Sequence, residues 1–318
     1  MIPQKPEIAM GTGNLAVPGE REDANRLLDA YVDLGGGIID TAAVYSDWVP
    51  GEPRRSEAAI GKWLKTRRGA RPMIVTKGGH PPVEAMHRSR LDAASIRSDV
   101  EGSLAVLGIE QIDLYLLHRD DVARPVAEIM GPLAELVAEG KLAAVGVSNW
   151  SPSRIAEARA TGLVPLASNQ ALGNVLSNHM GPDADPTIEK LDLAAFRQAE
   201  AADMSLMLFT SSAKGILSSP GRIEDRGNAA YSTPACRKAV KELVSIAEEA
   251  GIEPTNLGMA FLLQFSPRFV PVMERSSVDG LKTSMAAREV QLAPDLMAAI
   301  ARVSGFDAYV TPGGAARH

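Results

Sequence analysis

Short apolar or β-branched runs alternate with longer amphipathic stretches along the whole chain. The strand-like runs cover residues 7–10, 37–40, 73–76, 112–117, 142–147, 165–168, 205–209 and 269–272. Helical patterns fill 23–34, 56–66, 94–107, 125–139, 152–160, 191–202, 234–250 and 278–287. Two further helical stretches, 254–265 and 294–303, precede the last strand and follow the final helix of the alternation. Capping residues or prolines open many of these helices, at Ser56, Ser95, Ser151-Pro152 and Thr233-Pro234. Glycines close others, at Gly35, Gly108, Gly140 and Gly251. Near-continuous apolar strands mean a parallel sheet buried on both faces. Eight such alternations in 318 residues predict a closed (β/α)8 barrel, a single α/β domain over residues 1–318, in preference to an open doubly wound sheet.

Composition narrows the class of protein. Apolar residues make up 45% and charged residues 23%, enough for a large core and too apolar for disorder. The net charge is −6 with both signs mixed along the chain, which argues against nucleic acid or an anionic membrane as partner. No segment approaches the roughly 18 apolar residues of a membrane span. The stretch from Met1 to Pro6 has no apolar run of signal-peptide type. One cysteine, Cys236, rules out an internal disulfide and a multi-cysteine metal site. The expectation is a cytoplasmic protein, monomeric or a small homo-oligomer, without a metal.

Polar or Gly/Pro-rich stretches at 47–55, 79–90, 174–186 and 218–232 each follow a strand. In a barrel all four gather at the C-terminal mouth, where loops shape a substrate site. Ionisable residues stand at the same ends. The second strand runs into Asp40 and, five residues on, Tyr45; the third ends at Lys77 and the fourth at His118. Each alone has a plain explanation: aspartate as a turn former, tyrosine as packing, histidine as a satisfied rim residue. A lysine behind an apolar strand is harder to explain, because a buried ammonium needs a partner. Asp40, on the neighbouring strand, is placed to be that partner, with Tyr45 and His118 beside the pair.

The run Asp40-Thr41-Ala42-x-x-Tyr45, then Ser56-Glu57-x-x-Ile60-Gly61, Thr76-Lys77 and Asp113-Leu114-x-x-x-His118 resembles the successive signatures of the aldo-keto reductase superfamily. The resemblance continues through Gly140-Lys141-Leu142-x-x-Val145-Gly146-Val147-Ser148-Asn149 and Asn169-Gln170, and so spans most of the chain. It implies a nicotinamide-dependent oxidoreductase acting on an aldehyde or ketone. Tyr45 is then the general acid/base, Lys77 and Asp40 the ion pair beside it, and His118 the group that orients the carbonyl. The chemistry is consistent with this. Hydride arriving at a carbonyl carbon leaves an alkoxide that needs a proton, and an ordinary phenol, with a pKa of about 10, is a poor partner near neutrality. A neighbouring ammonium is expected to lower that value, and a histidine N–H to steady the developing oxyanion.

The resemblance also implies a cofactor site. Ser148, Asn149 and Gln170 would hold the nicotinamide amide, and Phe209 would stack on the ring. Thr210, Ser211, Ser212, Lys214 and Gly215 would wrap the pyrophosphate. Gly11, Thr12 and Gly13 lack the third glycine of a dinucleotide fingerprint, but resemble the family's first barrel loop, which lies against the nicotinamide ribose. After the last strand the chain departs from the family pattern. Glu274 replaces the usual glycine and Ser276 the usual basic residue, with Arg275 one position off and Ser284 on the following helix. Arg275 suits a 2′-phosphate, whereas Glu274 suits the ribose hydroxyls of NAD. NADP(H) is the expected cofactor and NAD(H) the alternative.

Trp48, His80, Arg119 and Trp150 fall on mouth loops, and aromatic faces flanked by polar groups suit sugar-like rings. The stretch His118-Arg119-Asp120-Asp121 also resembles bacterial family members of carbohydrate metabolism. A sugar or other polyhydroxy carbonyl is the expected substrate. Two other functions fit the same residues: a Schiff-base aldolase using Lys77, and a nucleotide sensor or redox-neutral enzyme that keeps its cofactor, as in the barrel-shaped β subunits of potassium channels.

Overall fold

Eight parallel strands close into a barrel in sequence order: β1 (Ala9–Gly11), β2 (Ile38–Asp40), β3 (Met73–Gly78), β4 (Leu114–Leu117), β5 (Val145–Ser148), β6 (Leu166–Leu172), β7 (Ser205–Phe209) and β8 (Phe269–Met273). Ala9 pairs with Val272 and Met10 with Met273 to close the ring. The computed structural model describes residues 7–19 and 22–310, so the opening stretch from Met1 to Pro6 lies outside the described residues. The helices in chain order are α1 (Ala24–Asp33), α2 (Arg55–Thr66), α3 (Ala93–Leu107), α4 (Val126–Ala138), α5 (Pro152–Ala160), α6 (Leu193–Ala202), α7 (Pro234–Ala250), α8 (Pro254–Phe265), α9 (Val278–Met285) and α10 (Pro294–Ser304). The extra helices α8 and α10 stand where the sequence places them. Among the described residues no helix is long and apolar enough to cross a membrane.

Alternation along each strand decides what faces the barrel interior. Ala9, Ile38, Val75, Leu114, Leu116, Met207, Val270 and Val272 pack together inside. Their strand neighbours pack outward: Met10, Ile39 and Ile74 against α1, α2 and α9, and Tyr115 and Leu117 against α3 and α4. Counting two residues past each inward position leads to Asp40, Lys77, His118, Phe209 and Glu274. The barrel's own periodicity therefore aims these side chains at the C-terminal mouth.

The helix starts differ from expectation at two places. Ser56 and Ser95 lie inside the first turns of α2 and α3. The cap of α3 is Asp92, whose carboxylate accepts from the Ser95 N–H at 2.9 Å, and α2 starts after Arg54 in a left-handed conformation (φ 61°). Ser56 is committed elsewhere, donating to the Thr12 carbonyl at 2.9 Å. Ser151 and Thr233 cap α5 and α7 as expected, each followed by proline.

Candidate active site

Lys77 is fully buried, and its ammonium is saturated by three partners. It lies 2.8 Å from the Asp40 carboxylate, 2.9 Å from the Thr41 carbonyl and 2.9 Å from the Tyr45 hydroxyl. Burial, the largest single effect, would lower its pKa, but Asp40 and Tyr45 together outweigh it and the pKa is raised. The amine stays protonated, which removes the nucleophile that a Schiff-base aldolase needs. His118 completes the cluster, its ring edge-on to Tyr45 at 5.6 Å. Burial, with the positive charge of Lys77, holds His118 well below its ordinary pKa, so its imidazole is neutral. Its Nδ1 is buried without a hydrogen-bond partner. An orphaned acceptor costs less than an orphaned N–H, which assigns the proton to Nε2.

Tyr45 departs from the simple expectation. Lys77 does lower its pKa, but burial is the larger effect, and the phenol is raised above its ordinary value. The hydroxyl therefore stays protonated, held by the ammonium without being ionised by it.

A network on the outer face of β3 fixes the segment around Lys77. Thr76 donates to Glu57 at 2.6 Å, and the Gly79 N–H donates to Asp99 at 2.9 Å. Arg54 joins the two acids, 2.9 Å from Glu57 and 3.4 Å from Asp99, and reaches Ser103 at 2.9 Å. Because Arg54 also ends the loop that carries Tyr45, one guanidinium ties that loop to the strand bearing Lys77.

A cavity of about 950 Å³ opens over the cluster. Around its inner end, Gln170 donates to Asp40 at 2.9 Å, Ser148 donates to the Gln170 carbonyl at 3.0 Å, and Asn149 donates to Ser148 at 2.9 Å. Asn149 holds a left-handed backbone (φ 58°). Phe209 follows on the wall, and the next loop is curled by positive φ at Thr210, Ala213, Lys214 and Gly215. Such consecutive turns make anion-receiving concavities. At the outer end, Arg275 approaches Ser284 at 2.7 Å and Ser212 at 3.3 Å, with Lys214 and Arg222 also on the wall. Glu274 crosses to the first barrel loop and accepts from the Asn14 N–H at 2.6 Å.

Residues 7–304 match the model of the aldo/keto reductase family. The chain belongs to this family. It is an oxidoreductase, and its relatives carry dehydrogenase and reductase names. Over 302 residues it is 27% identical to the aryl-alcohol dehydrogenase (NADP(+)) of Phanerodontia chrysosporium, covering 87% of this chain and 75% of that protein. Over 271 residues it is 28% identical to the 6-dehydroglucose reductase of Novosphingobium aromaticivorans, covering 84% and 81%. In fold it resembles the glycerol dehydrogenase of Gluconobacter oxydans, with a TM-score of 0.73 at 22% identity over 98% of this chain and 95% of that one.

Within this aldo/keto reductase, most of the residues singled out from sequence converge. Gly11, Gly13, Asp40, Tyr45, His118, Arg119, Ser148, Asn149, Gln170, Phe209, Thr210, Ser212, Lys214, Gly215, Arg275, Ser276 and Ser284 all line the cavity. Others do not reach it. Thr12 is buried and donates to the Asp40 carbonyl at 2.9 Å, and Ser211 donates to the Val272 carbonyl at 2.9 Å. Both hold the loops in place and leave the cavity wall to their neighbours. Trp150 is a correction: it is 1% exposed, with its indole N–H on the Arg119 carbonyl at 3.2 Å and Arg154 over its ring at 5.4 Å. No substrate reaches a ring so covered. Trp48 is exposed outside the cavity wall, and His80 stands behind His118 with ring centroids 4.9 Å apart. Sequence reading missed Ile188, Arg222, Glu253 and Asn256 on the wall, and Asp185 beside Arg119. Asp185 and Arg222 lie in two of the loops already assigned to the mouth, but nothing local marks them within those loops.

Proposed function

We propose that this aldo/keto reductase domain, spanning the chain, reduces the carbonyl of a small polyhydroxy substrate with NADPH. The observation that carries this reading is the Lys77 ammonium bound to Asp40 and Tyr45 at 2.8 and 2.9 Å, beside a neutral His118, at the floor of the cavity. The residues present fit a nicotinamide nucleotide. The amide-bearing end has Ser148, Asn149 and Gln170, the ring has Phe209, and the phosphates have the curled loop from Thr210 to Gly215 with Lys214 and Arg275. Burial lowers the pKa of Arg275, and a guanidinium desolvated in this way gains most from an anionic partner. That favours a 2′-phosphate and NADP(H) over NAD(H). When bound, the nucleotide supplies the hydride.

The chain's own residues handle the proton and the charge. His118 donates from Nε2 to the carbonyl oxygen and polarises it. Tyr45 gives its hydroxyl proton to the same oxygen as negative charge develops there. Lys77 then stabilises the phenolate left behind, and Asp40 keeps the ammonium charged and in place. A relative named 6-dehydroglucose reductase supports a sugar-like substrate, and one named for NADP(+) supports the cofactor.

The test is a pair of calorimetric titrations with NADPH and NADH, followed by the Tyr45→Phe variant. NADPH is expected to bind tighter. Tyr45→Phe is expected to lower kcat by about 10²- to 10⁴-fold with the cofactor Kd unchanged. Failure of both nucleotides to bind overturns the reading, and a Phe variant that keeps most of its kcat overturns the role of Tyr45.

A further inference from the structure

Among the described residues three carboxylates line the cavity: Asp40, Glu274 and Glu253. Asp40 is bound on the floor by Lys77 and Gln170, and Glu274 crosses to the first loop. Glu253 stands at the outer end, only partly buried, with Ser218, Thr255 and Asn256 on the same wall. It caps α8 with its side chain, one carboxylate oxygen accepting from the Asn256 N–H at 2.8 Å. The other oxygen accepts from the Ser218 hydroxyl. Asn256 in turn donates to the Thr283 carbonyl at 2.8 Å, which ties α8 to α9 and fixes this corner. The two bonds to Glu253 use about half of the four lone-pair sites of an ionised carboxylate. A positioned acceptor therefore borders the cavity here. Glu253 also lies within electrostatic reach of Arg275, whose guanidinium it helps to keep charged against burial.

The outer end thus holds an anion and a cation, and the adenosine half of the proposed nucleotide has a part for each. The nicotinamide amide is assigned to Ser148, Asn149 and Gln170 and the pyrophosphate to the curled loop, so the adenosine half falls beside Arg275 and Glu253. A 2′-phosphate suits the guanidinium and is repelled by the carboxylate. The positive end of α8 does not compete for it, because Glu253 already caps that end. Adenine offers acceptors at its ring nitrogens and N–H donors at its exocyclic amine. A carboxylate only accepts, so it complements the amine and repels the ring nitrogens. A ribose hydroxyl would also suit it, but in NADPH the 2′ oxygen carries the phosphate. We infer that Glu253 reads the adenine amine and selects the base of the nucleotide, while Arg275 takes the phosphate. The inference rests on the nucleotide-binding reading above.

The experiment is calorimetric and uses the full chain with NADPH, NADH and the deamino analogue of each, in which a carbonyl oxygen replaces the adenine amine. In the wild type each analogue is expected to bind about tenfold to a hundredfold more weakly than its parent, since its oxygen meets the carboxylate. Glu253→Gln, whose amide can turn an N–H toward that oxygen, is expected to bring the ratio of the two Kd values close to one. The NADPH-to-NADH ratio should not move. Equal weakening of all four nucleotides in the variant means that Glu253 merely caps α8, and overturns the inference. A changed NADPH-to-NADH ratio with the deamino ratio intact places Glu253 on the ribose or its phosphate, and overturns it too. Wild-type protein that binds parent and analogue equally overturns it while leaving the reductase reading in place. A protein that binds none of the four overturns both.

Discussion

Tyr45, the proposed proton donor, is kept protonated by burial, which outweighs the opposing pull of Lys77. Reduction uses the protonated phenol, so its rate is lost only as pH rises through a pKa above the ordinary value of about 10. The kcat/KM for reduction is therefore expected to stay flat between pH 6 and 9, and a profile falling with a midpoint near 7 would contradict the assignment. His118 titrates in the opposite sense. Its folded pKa is depressed, so below about 6.5 the unfolded chain binds a proton that the folded chain refuses. Its contribution to stability is present above that pH and is lost as pH falls toward the folded value. Thermal melts should show Tm dropping more steeply from pH 6.5 to 5 in the wild type than in His118→Gln. Asp40→Asn leaves a buried ammonium without its anion and is expected to cost about 3 kcal/mol, read by urea unfolding. Asp40, Lys77 and His118 are legible in the sequence because each ends an apolar strand, where only pairing justifies a charge. Trp150 misleads for a physical reason. A loop aromatic reads as a ligand platform until Arg154 and the Arg119 carbonyl, both set by folding, are found covering it.

Between residues and barrel, α2 and α3 act as a brace for the strand that carries Lys77. Their close approach depends on Gly61, where a β-carbon would stand 2.2 Å from the Val106 carbonyl oxygen. Gly61→Ala is expected to destabilise the protein by about 1–3 kcal/mol, again read by urea unfolding. Arg54 is the electrostatic half of the brace. Removing its guanidinium in Arg54→Ala leaves Glu57 buried without its cation, while Asp99 keeps Arg90, at a cost of about 3 kcal/mol. The same change loosens Thr76 and Gly79 on either side of Lys77, so kcat should fall along with stability. A variant that loses stability but keeps its full kcat would show that the brace does not reach the site. Element boundaries were read less well than element order. β3 runs on to Gly78 and β6 to Leu172, past the apolar runs, because Lys77, Asn169 and Gln170 are strand residues in register although their side chains are polar.

At the scale of the molecule, strand–helix alternation carries the fold into the sequence because the strands are buried on both faces and most helices on one, α8 being buried nearly all round. Contacts between loops are less legible, since Arg119 and Asp185 become neighbours only when two loops fold over the same mouth. If the cavity holds a nicotinamide nucleotide, a ligand at a hundred times its Kd should add about 2.7 kcal/mol of stability and raise Tm by about 4 °C, checked by scanning calorimetry with and without NADPH. The seam between β1 and β8 has a further consequence. Gly11 ends β1 and Gly13 and Asn14 lie in the loop after it, Glu274 and Arg275 in the loop after β8, and the Asn14–Glu274 contact joins residues 260 apart. During synthesis the groove has no second wall until β8 has left the ribosome and docked beside β1. A nascent chain stalled before residue 269 should therefore be blind to the nucleotide, even with the strands bearing Asp40, Lys77 and His118 already made.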